Sequence, residues 1–493
     1  MSASPNHPPA DPDFVPDPGR WRILTVLLVT VFMALLGVSI VNVVLPSIEI
    51  GLGATQSDIQ WVLSGYALTF GVVLVAAGRA GDVFGRGPIF IAGLITFTLS
   101  SVAAGLAQDP ASLNFIRFIQ GIGAGLLNPQ AIGMIQQYFR GEERARAFGL
   151  LGSVIGVSAA IGPLIGGLLV EMAGEENGWR WTFLVNVPVG VLATFLAFLW
   201  FPKPMRTRTA PSADPRGAPG GREPRDLDPV GSMLLGAVVL VVLLPFVEAR
   251  EAAWVWALLP VGLAGLVAWV WWENRYKRIG RSPMVDLALF RLSSFANGTA
   301  ISGLYMMGMT SVWVLIALYL QDGLGRTALE AGLVGLPAAV LVAFGSHWAG
   351  GKVTEYGRKV VIWGIASALI GLASSVLVVH LNQLNGTSIW WLMLSLSFVG
   401  AAQGLVVSPN QTLTLAEIPI DYAGSAGGVQ QTGQRIGTAV GIALITAISF
   451  ATLAQTNWTV AITIGFSAIA VIVLATLAIA VKDQRARIRA GHV

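Results

Sequence analysis

Two arginines, Arg117 and Arg435, stand inside long apolar runs of this chain. A charge at that depth is expensive and marks a functional site by default. Arg435 closes the stretch Gln430-Gln431-Thr432-Gly433-Gln434-Arg435, which is polar for its surroundings. No acid sits at the middle of an apolar run. Asp58, Asp322 and Glu330 lie near run ends, and His347 lies within one, toward its end. His347 can titrate near neutral pH, or it can serve as a hydrogen-bonded packing residue. Two embedded cations without a central carboxylate suit anionic or zwitterionic ligands. Asn42, Gln60, Tyr66, Asn128, Tyr305, Asn410 and Gln431 can add neutral polar contacts to such a cavity, or they can hydrogen-bond between helices. Catalysis fits poorly. There is no cysteine, the histidines are scattered at His7, His347, His380 and His492, and no Gly-x-x-x-x-Gly-Lys-[Ser/Thr] phosphate loop occurs. The chain therefore reads as a non-enzyme without metal or cofactor, and no feature of it points to nucleic acid.

The elements that hold these residues follow from solvent preference. The sequence is 54% apolar and only 11% charged, where a soluble domain carries about a quarter charged residues. Its apolar runs are long enough to cross a hydrocarbon core of about 30 Å, and lipid leaves backbone groups no partner outside a helix or a closed barrel. Long unbroken runs choose helices. They are expected at about 22–46, 58–78, 88–107, 111–138, 146–171 and 180–201, then 229–249 and 253–273, then 293–320, 327–351, 358–380, 388–413, 423–450 and 458–481. With fourteen spans and the N-terminus inside, the outer loops hold only Arg180, Arg250 and Arg326 of the 30 basic residues, while Arg117 and Arg435 are embedded. All others fall on the inner side, which supports the count and puts both termini in the cytoplasm.

The domain reading follows. Residues 1–21, rich in Pro and Asp, form a disordered cytoplasmic tail. Residues 22–201 form a six-helix bundle, and 202–228 a polar linker that can also touch anionic lipid heads. Two further helices span 229–273, a loop runs over 274–292, a second six-helix bundle over 293–481, and a tail over 482–493. An offset of 272 residues brings Gly78, Gly85 and Arg86 onto Gly350, Gly357 and Arg358, and Gly152-Ser153 onto Gly424-Ser425. Two matches at one offset indicate two duplicated, parallel bundles with a site between them, and helices seven and eight inserted. The fold class is all-α, polytopic and pseudo-symmetric.

Gly78-Arg79-Ala80-Gly81-Asp82-Val83-Phe84-Gly85-Arg86 matches the Gly-x-x-x-Asp-x-x-Gly-Arg signature of the major facilitator superfamily. Arg117-Phe118-Ile119-Gln120-Gly121 resembles that family's Arg-x-x-Gln-Gly motif, and Gly156, Gly162-Pro163 and Gly166-Gly167 resemble its antiporter helix. More narrowly the chain resembles the fourteen-helix drug:proton antiporters, the QacA/EmrB-like group, over about Trp21 to Val481. The resemblance implies the major facilitator fold in a lipid bilayer and secondary active export of multiple drugs or other small amphiphilic molecules, coupled to protons and working by alternating access. A bacterial plasma membrane and a monomer are implied with it; the arginine excess over lysine also points to a GC-rich bacterial genome. It further implies a conformational latch at Gly78, Asp82, Gly85 and Arg86. Asp82 can pair with a nearby arginine or with the positive N-terminal end of a helix in the other half, or belong to an ordinary charged loop. Proton coupling is implied for Arg117 and Gln120, with a structural buried pair as the alternative. Asp322, Glu330 and His347 are the candidate proton carriers. The five antiporter-helix residues are expected to let helices approach closely and to bend the helix. One departure matters. Many relatives carry an aspartate after Leu36, where this chain has Gly37. The alternative function is a dedicated exporter of an endogenous lipid or anionic metabolite that is not proton-coupled.

Overall fold

Apolar runs whose backbone groups lipid cannot satisfy fold into helices throughout, and the described residues contain no strand. The computed structural model describes residues 16–202, 226–248 and 253–489. The expected N-terminal tail up to residue 15, the linker from 203 to 225 and the final residues from 490 lie outside them. Fourteen helices are present among the described residues. In the first bundle these are α1 (Arg20–Leu52), α2 (Gln56–Phe84), α3 (Arg86–Leu106), α4 (Pro110–Tyr138), α5 (Gly141–Ala173) and α6 (Gly178–Trp200, interrupted at Val185). The inserted pair is α7 (Pro229–Glu248) and α8 (Leu258–Arg278). The second bundle contains α9 (Ser293–Leu318), α10 (Ala328–Tyr356), α11 (Arg358–Asn385), α12 (Leu392–Thr414), α13 (Ala423–Leu453) and α14 (Trp458–Arg489).

Thirteen of them are long and apolar enough to cross a membrane. The exception is α4, whose Arg117, Gln120, Gln130 and Gln136 dilute its hydropathy but are all buried against neighbouring helices. Several expected ends move outward, three of them for a visible reason or by a full turn. α1 runs past Pro46 to Leu52, since one missing N–H does not stop a packed helix, and ends at Gly53 in the left-handed region. α8 continues to Arg278, beyond residue 273. α14 continues past Val481 to Arg489, because Asp483 is drawn inward to pair with Arg358 at 2.8 Å and with Arg487 at 3.1 Å.

The duplication is visible in the pairings. α2 packs on α4, α3 on α4, α1 on α5 and α3 on α6; in the second half α10 packs on α12, α11 on α12, α9 on α13 and α11 on α14. Capping boxes open α2 at Thr55–Asp58 and α10 at Thr327–Glu330, again 272 residues apart. The turns after these helices use Gly85 (φ 101°) and Gly357 (φ 55°), positions that only glycine occupies without strain. The two halves meet along crossed seams, α2 on α13 and α5 on α10. α7 lies against α2 and α13, with α8 on its outer side. The end of the bundle bearing the Gly85 and Gly357 turns is called basal below.

Candidate functional site

The seams are built from glycine. A Cβ on Gly78 would fall inside contact distance of the Gly424 carbonyl, and one on Gly428 would stand 2.7 Å from Leu74 O. Across the other seam, a Cβ on Gly149 would stand 2.8 Å from Ser346 O, and one on Gly156 would stand 2.7 Å from Val342 Cγ1. Ser153 Oγ donates to Ala343 O at 2.8 Å. Backbones therefore touch, and the contacts that hold the halves together concentrate toward the basal end.

Among the described residues, one seam carries a charge across. Asp82 Oδ1 accepts from the Gly424 N–H at 3.0 Å and Oδ2 from the Ser425 N–H at 2.9 Å. Those are the first free amides of α13, so the carboxylate caps a helix of the opposite half at its positive end. Arg86 Nη2 holds the same carboxylate at 2.9 Å. Arg86 also donates to Gly133 O at 2.9 Å, to Gln137 Oε1 at 3.0 Å and to Ile420 O of the other half. The mirrored seam cannot repeat this. Thr354 stands in the place of Asp82, and α5 starts at Gly141, well before Gly152, so its amides there are already bonded within the helix.

A second cluster lies in the first bundle. Arg117 is 1% exposed. Its Nε donates to Val62 O at 2.9 Å and its Nη1 to Gln120 Oε1 at 2.6 Å, while Gln120 Nε2 donates to Ser101 Oγ at 2.8 Å. No carboxylate among the described residues pairs with it. Its guanidinium sits 4.4 Å from the Tyr66 ring, Tyr66 stacks on Phe70 at 6.1 Å, and Arg435 sits 4.3 Å from the Phe70 ring. Two cations thus bracket two stacked aromatics, with α2 in the middle and α13 supplying the far cation. Arg435 is half-buried. Gly37 opens onto Phe97 and Asn186, at 3.5 and 3.7 Å from a hypothetical Cβ.

Other expected site residues are arranged differently. Glu330 is half-buried and serves the α10 capping box, with Arg326 at 3.1 Å. Asp322 is exposed in the last turn after α9, and His347 is exposed on α10 beside Trp348. Among the described residues the partners of Arg117 are Val62, Gln120, Tyr66 and Phe183, and none of the three is one of them. In the antiporter helix Gly156, Gly162 and Gly166 make close contacts and Pro163 lies within α5, but Gly167 faces open space. Asn410 is 1% exposed and is engaged by Gly298 O, Ser302 Oγ and Arg358 in a network continuing to Asp483. That network holds helices together and removes Asn410 from any cavity wall. Tyr305 is buried in the second core. Asn128 bonds to Ala124 O on its own helix at 3.2 Å. Asn42 is exposed, Gln60 and Gln431 half-buried. Sequence reading passed over Phe70, whose only signal was a four-residue spacing from Tyr66, and Asp483, which sat in an assumed tail.

The chain matches the Major Facilitator Superfamily over residues 27–442, and again over 298–490. It belongs to that superfamily. This facilitator is 33% identical over 417 residues to a probable actinorhodin transporter of Streptomyces coelicolor, covering 83% of this chain and 69% of that protein. It is 32% identical over 421 residues to a puromycin resistance protein of Streptomyces alboniger, covering 84% and 78%. Multidrug resistance protein Stp of Mycobacterium tuberculosis is 28% identical, covering 83% and 72%. The fold is similar to that of the human organic anion transporter MFSD10, with a TM-score of 0.67 at 14% identity over 94% of this chain and all of that one. Facilitators are membrane transporters of small molecules, so the seams and the charged ladder belong to a transporter rather than an enzyme.

Proposed function

We propose that this facilitator is a drug exporter of the fourteen-helix group, carrying aromatic anions or zwitterions outward by alternating access. The observation that carries the cargo class is the Arg117–Tyr66–Phe70–Arg435 ladder. Stacked rings offer area to a flat ligand, and Arg435, half-buried with no ion pair among the described residues, offers it a cation. The names of similar proteins, for actinorhodin, puromycin and multidrug resistance, support antibiotic-like cargo. The basal end is taken as cytoplasmic on the distribution of basic residues. The close glycine seams then correspond to a state closed on that side, with Gly78, Asp82, Gly85 and Arg86 as its latch.

Proton linkage belongs to the same proposal, with Arg117 and Gln120 as the responsive pair. A second reading has a specific observation behind it. Since no described carboxylate reaches Arg117, export of an endogenous anionic metabolite or lipid without proton flux is the alternative. Proteoliposomes with an imposed pH gradient separate the two. An aromatic anion that collapses the gradient in the native protein, but not in Arg117→Ala, supports antiport. Anion movement without gradient collapse selects the uncoupled reading. Arg435→Gln should weaken binding of the anion at least tenfold while leaving the melting temperature near native, because among the described residues the side chain makes no hydrogen bond or ion pair and its ring contact is with Phe70. Equal binding of an aromatic cation by native protein would sink the cargo assignment.

A further inference from the structure

The α7–α8 hairpin stands outside the duplication, and nothing in the seams or the ladder accounts for its charged foot. α7 lies along the groove between the halves, where Leu235, Val239 and Leu243 pack with Leu68 and Val75 of α2 and with Trp269 of α8. At the basal end Arg79 of α2 donates through Nε and Nη2 to Asp226 O at 3.2 and 3.0 Å. The Asp226 carboxylate accepts from the Tyr276 hydroxyl and stands 3.7 Å from Arg281 Nη1. Lys277 pairs with Asp286 at 2.7 Å. Arg79, Arg281 and Lys277 are thereby engaged elsewhere, Arg275 lies over the Trp271 ring at 5.3 Å, and Arg278 is exposed.

Beside them lies Glu273, 1% exposed, with no hydrogen bond to either carboxylate oxygen. The nearest donors are the backbone N–H groups of Met284 and Val285 and the indole N–H of Trp269, none at bonding geometry. Trp269 is itself 6% exposed with its Nε1 unpartnered. Facing Glu273 is Asp228, fully buried, which accepts from the Gly231 N–H at 2.8 Å and from Trp272 Nε1 at 3.0 Å. A Cβ placed on Gly231 would meet Asp228 Oδ2 and Glu273 Oε1 together, the latter at 2.9 Å, so the two carboxylates flank one point. Two buried carboxylates cannot share such a space as anions without a cation between them. A proton on Glu273 removes one of the facing charges and supplies a donor toward Asp228.

We propose that Glu273 and Asp228 form a proton-binding site at the foot of the inserted hairpin, and that its occupancy sets how firmly the hairpin holds α2. The proton comes from the basal aqueous phase, turning the Glu273 carboxylate into a carboxyl; its release leaves two facing anions that push α8 from the α7 foot. Asp226, tied to Arg79, passes that movement to α2, which carries Asp82 in its last turn. The site does not depend on what is exported.

Infrared difference spectroscopy of the full chain tests it. At neutral pH the native protein should show a protonated-carboxyl C=O band that Glu273→Gln removes and that Asp228→Asn, by deleting the facing charge, moves to lower pH. A spectrum unaltered by both substitutions overturns the proposal. Asn is a good helix cap, so Asp228→Asn reads the site even if Glu273→Gln does not accumulate, and native-like titration in that variant alone refutes it. Spin labels at Phe84→Cys and Ile279→Cys, both exposed positions in a chain without cysteine, should separate as the pH rises in the native background and stay fixed with Glu273→Gln. A pH-independent separation in the native background overturns the hold on α2.

Discussion

Arg117 shows how a single buried cation is kept without an anion. Its hydrogen bonds go to a backbone carbonyl and an amide, and its face rests on Tyr66. Arg117→Ala removes the second bond accepted by Val62 O, a carbonyl already inside α2, and strands Gln120 Oε1, worth about 1–3 kcal/mol when left unsatisfied. Its melting temperature in detergent should fall clearly below native. Arg117→Lys keeps the charge but cannot make two divergent bonds and a stacked face together. It should sit between the two. If Ala and native protein melt alike, the hydrogen-bonded core described for Arg117 carries no stability.

Among elements, glycine spacing decides how close two helices come. Gly78→Ala forces a methyl against the Gly424 backbone, which cannot yield as a flexible side chain would. Export should be lost while the protein still reaches the membrane. Gly351→Ala meets nothing within 4 Å and should be neutral or gain about 1 kcal/mol of helix propensity; a loss equal to that of Gly78→Ala would mean that seam packing is not the cause. Asp82→Asn retains an acceptor but gives up its charge at the start of α13. It should weaken the closed seam by about 1 kcal/mol, read as faster trapping of a cysteine placed in the seam. At the hairpin foot the Tyr276 hydroxyl holds the Asp226 carboxyl below its ordinary range. A depressed folded-state value contributes stability above the unfolded value that is lost as pH falls through the folded one. Tyr276→Phe should therefore shrink the acid-side stability loss attributable to Asp226, measured by melting across acidic pH.

At the scale of the whole molecule, alternating access requires the seams to part. The chain contains no cysteine, so Ser153→Cys with Ala343→Cys gives a clean cross-link where the side chain and carbonyl already meet at 2.8 Å. Oxidation should stop export and reduction restore it. Undiminished export by the cross-linked protein would rule out opening at this seam. The mirrored pairings also explain why a cross-link in one seam should suffice: the halves contact one another at both seams, so they rock as two bodies.

By itself the sequence determined the solvent, the number of spans and the duplicated halves, because hydropathy, loop charge and a fixed offset are local properties of the chain. Glycine at Gly78, Gly152 and Gly424 even marked the helices that cross. Only the tertiary structure decided what those residues meet. That Asp82 finds the amides of Gly424 and Ser425 depends on where α13 begins, since amides inside a helix have no bond to give. Glu330, an acid near a helix start, has the same composition signal as a proton carrier, and its Thr-x-x-Glu spacing from Thr327 is equally the signal of the capping box it forms. Asn410 and Arg435 looked alike as embedded polar residues. Helix rotation, set by packing, turned one into a buried network and left the other beside Phe70. Glu273 carried no warning at all, because its neighbour Asp228 lies across a helical hairpin whose closure no local pattern records.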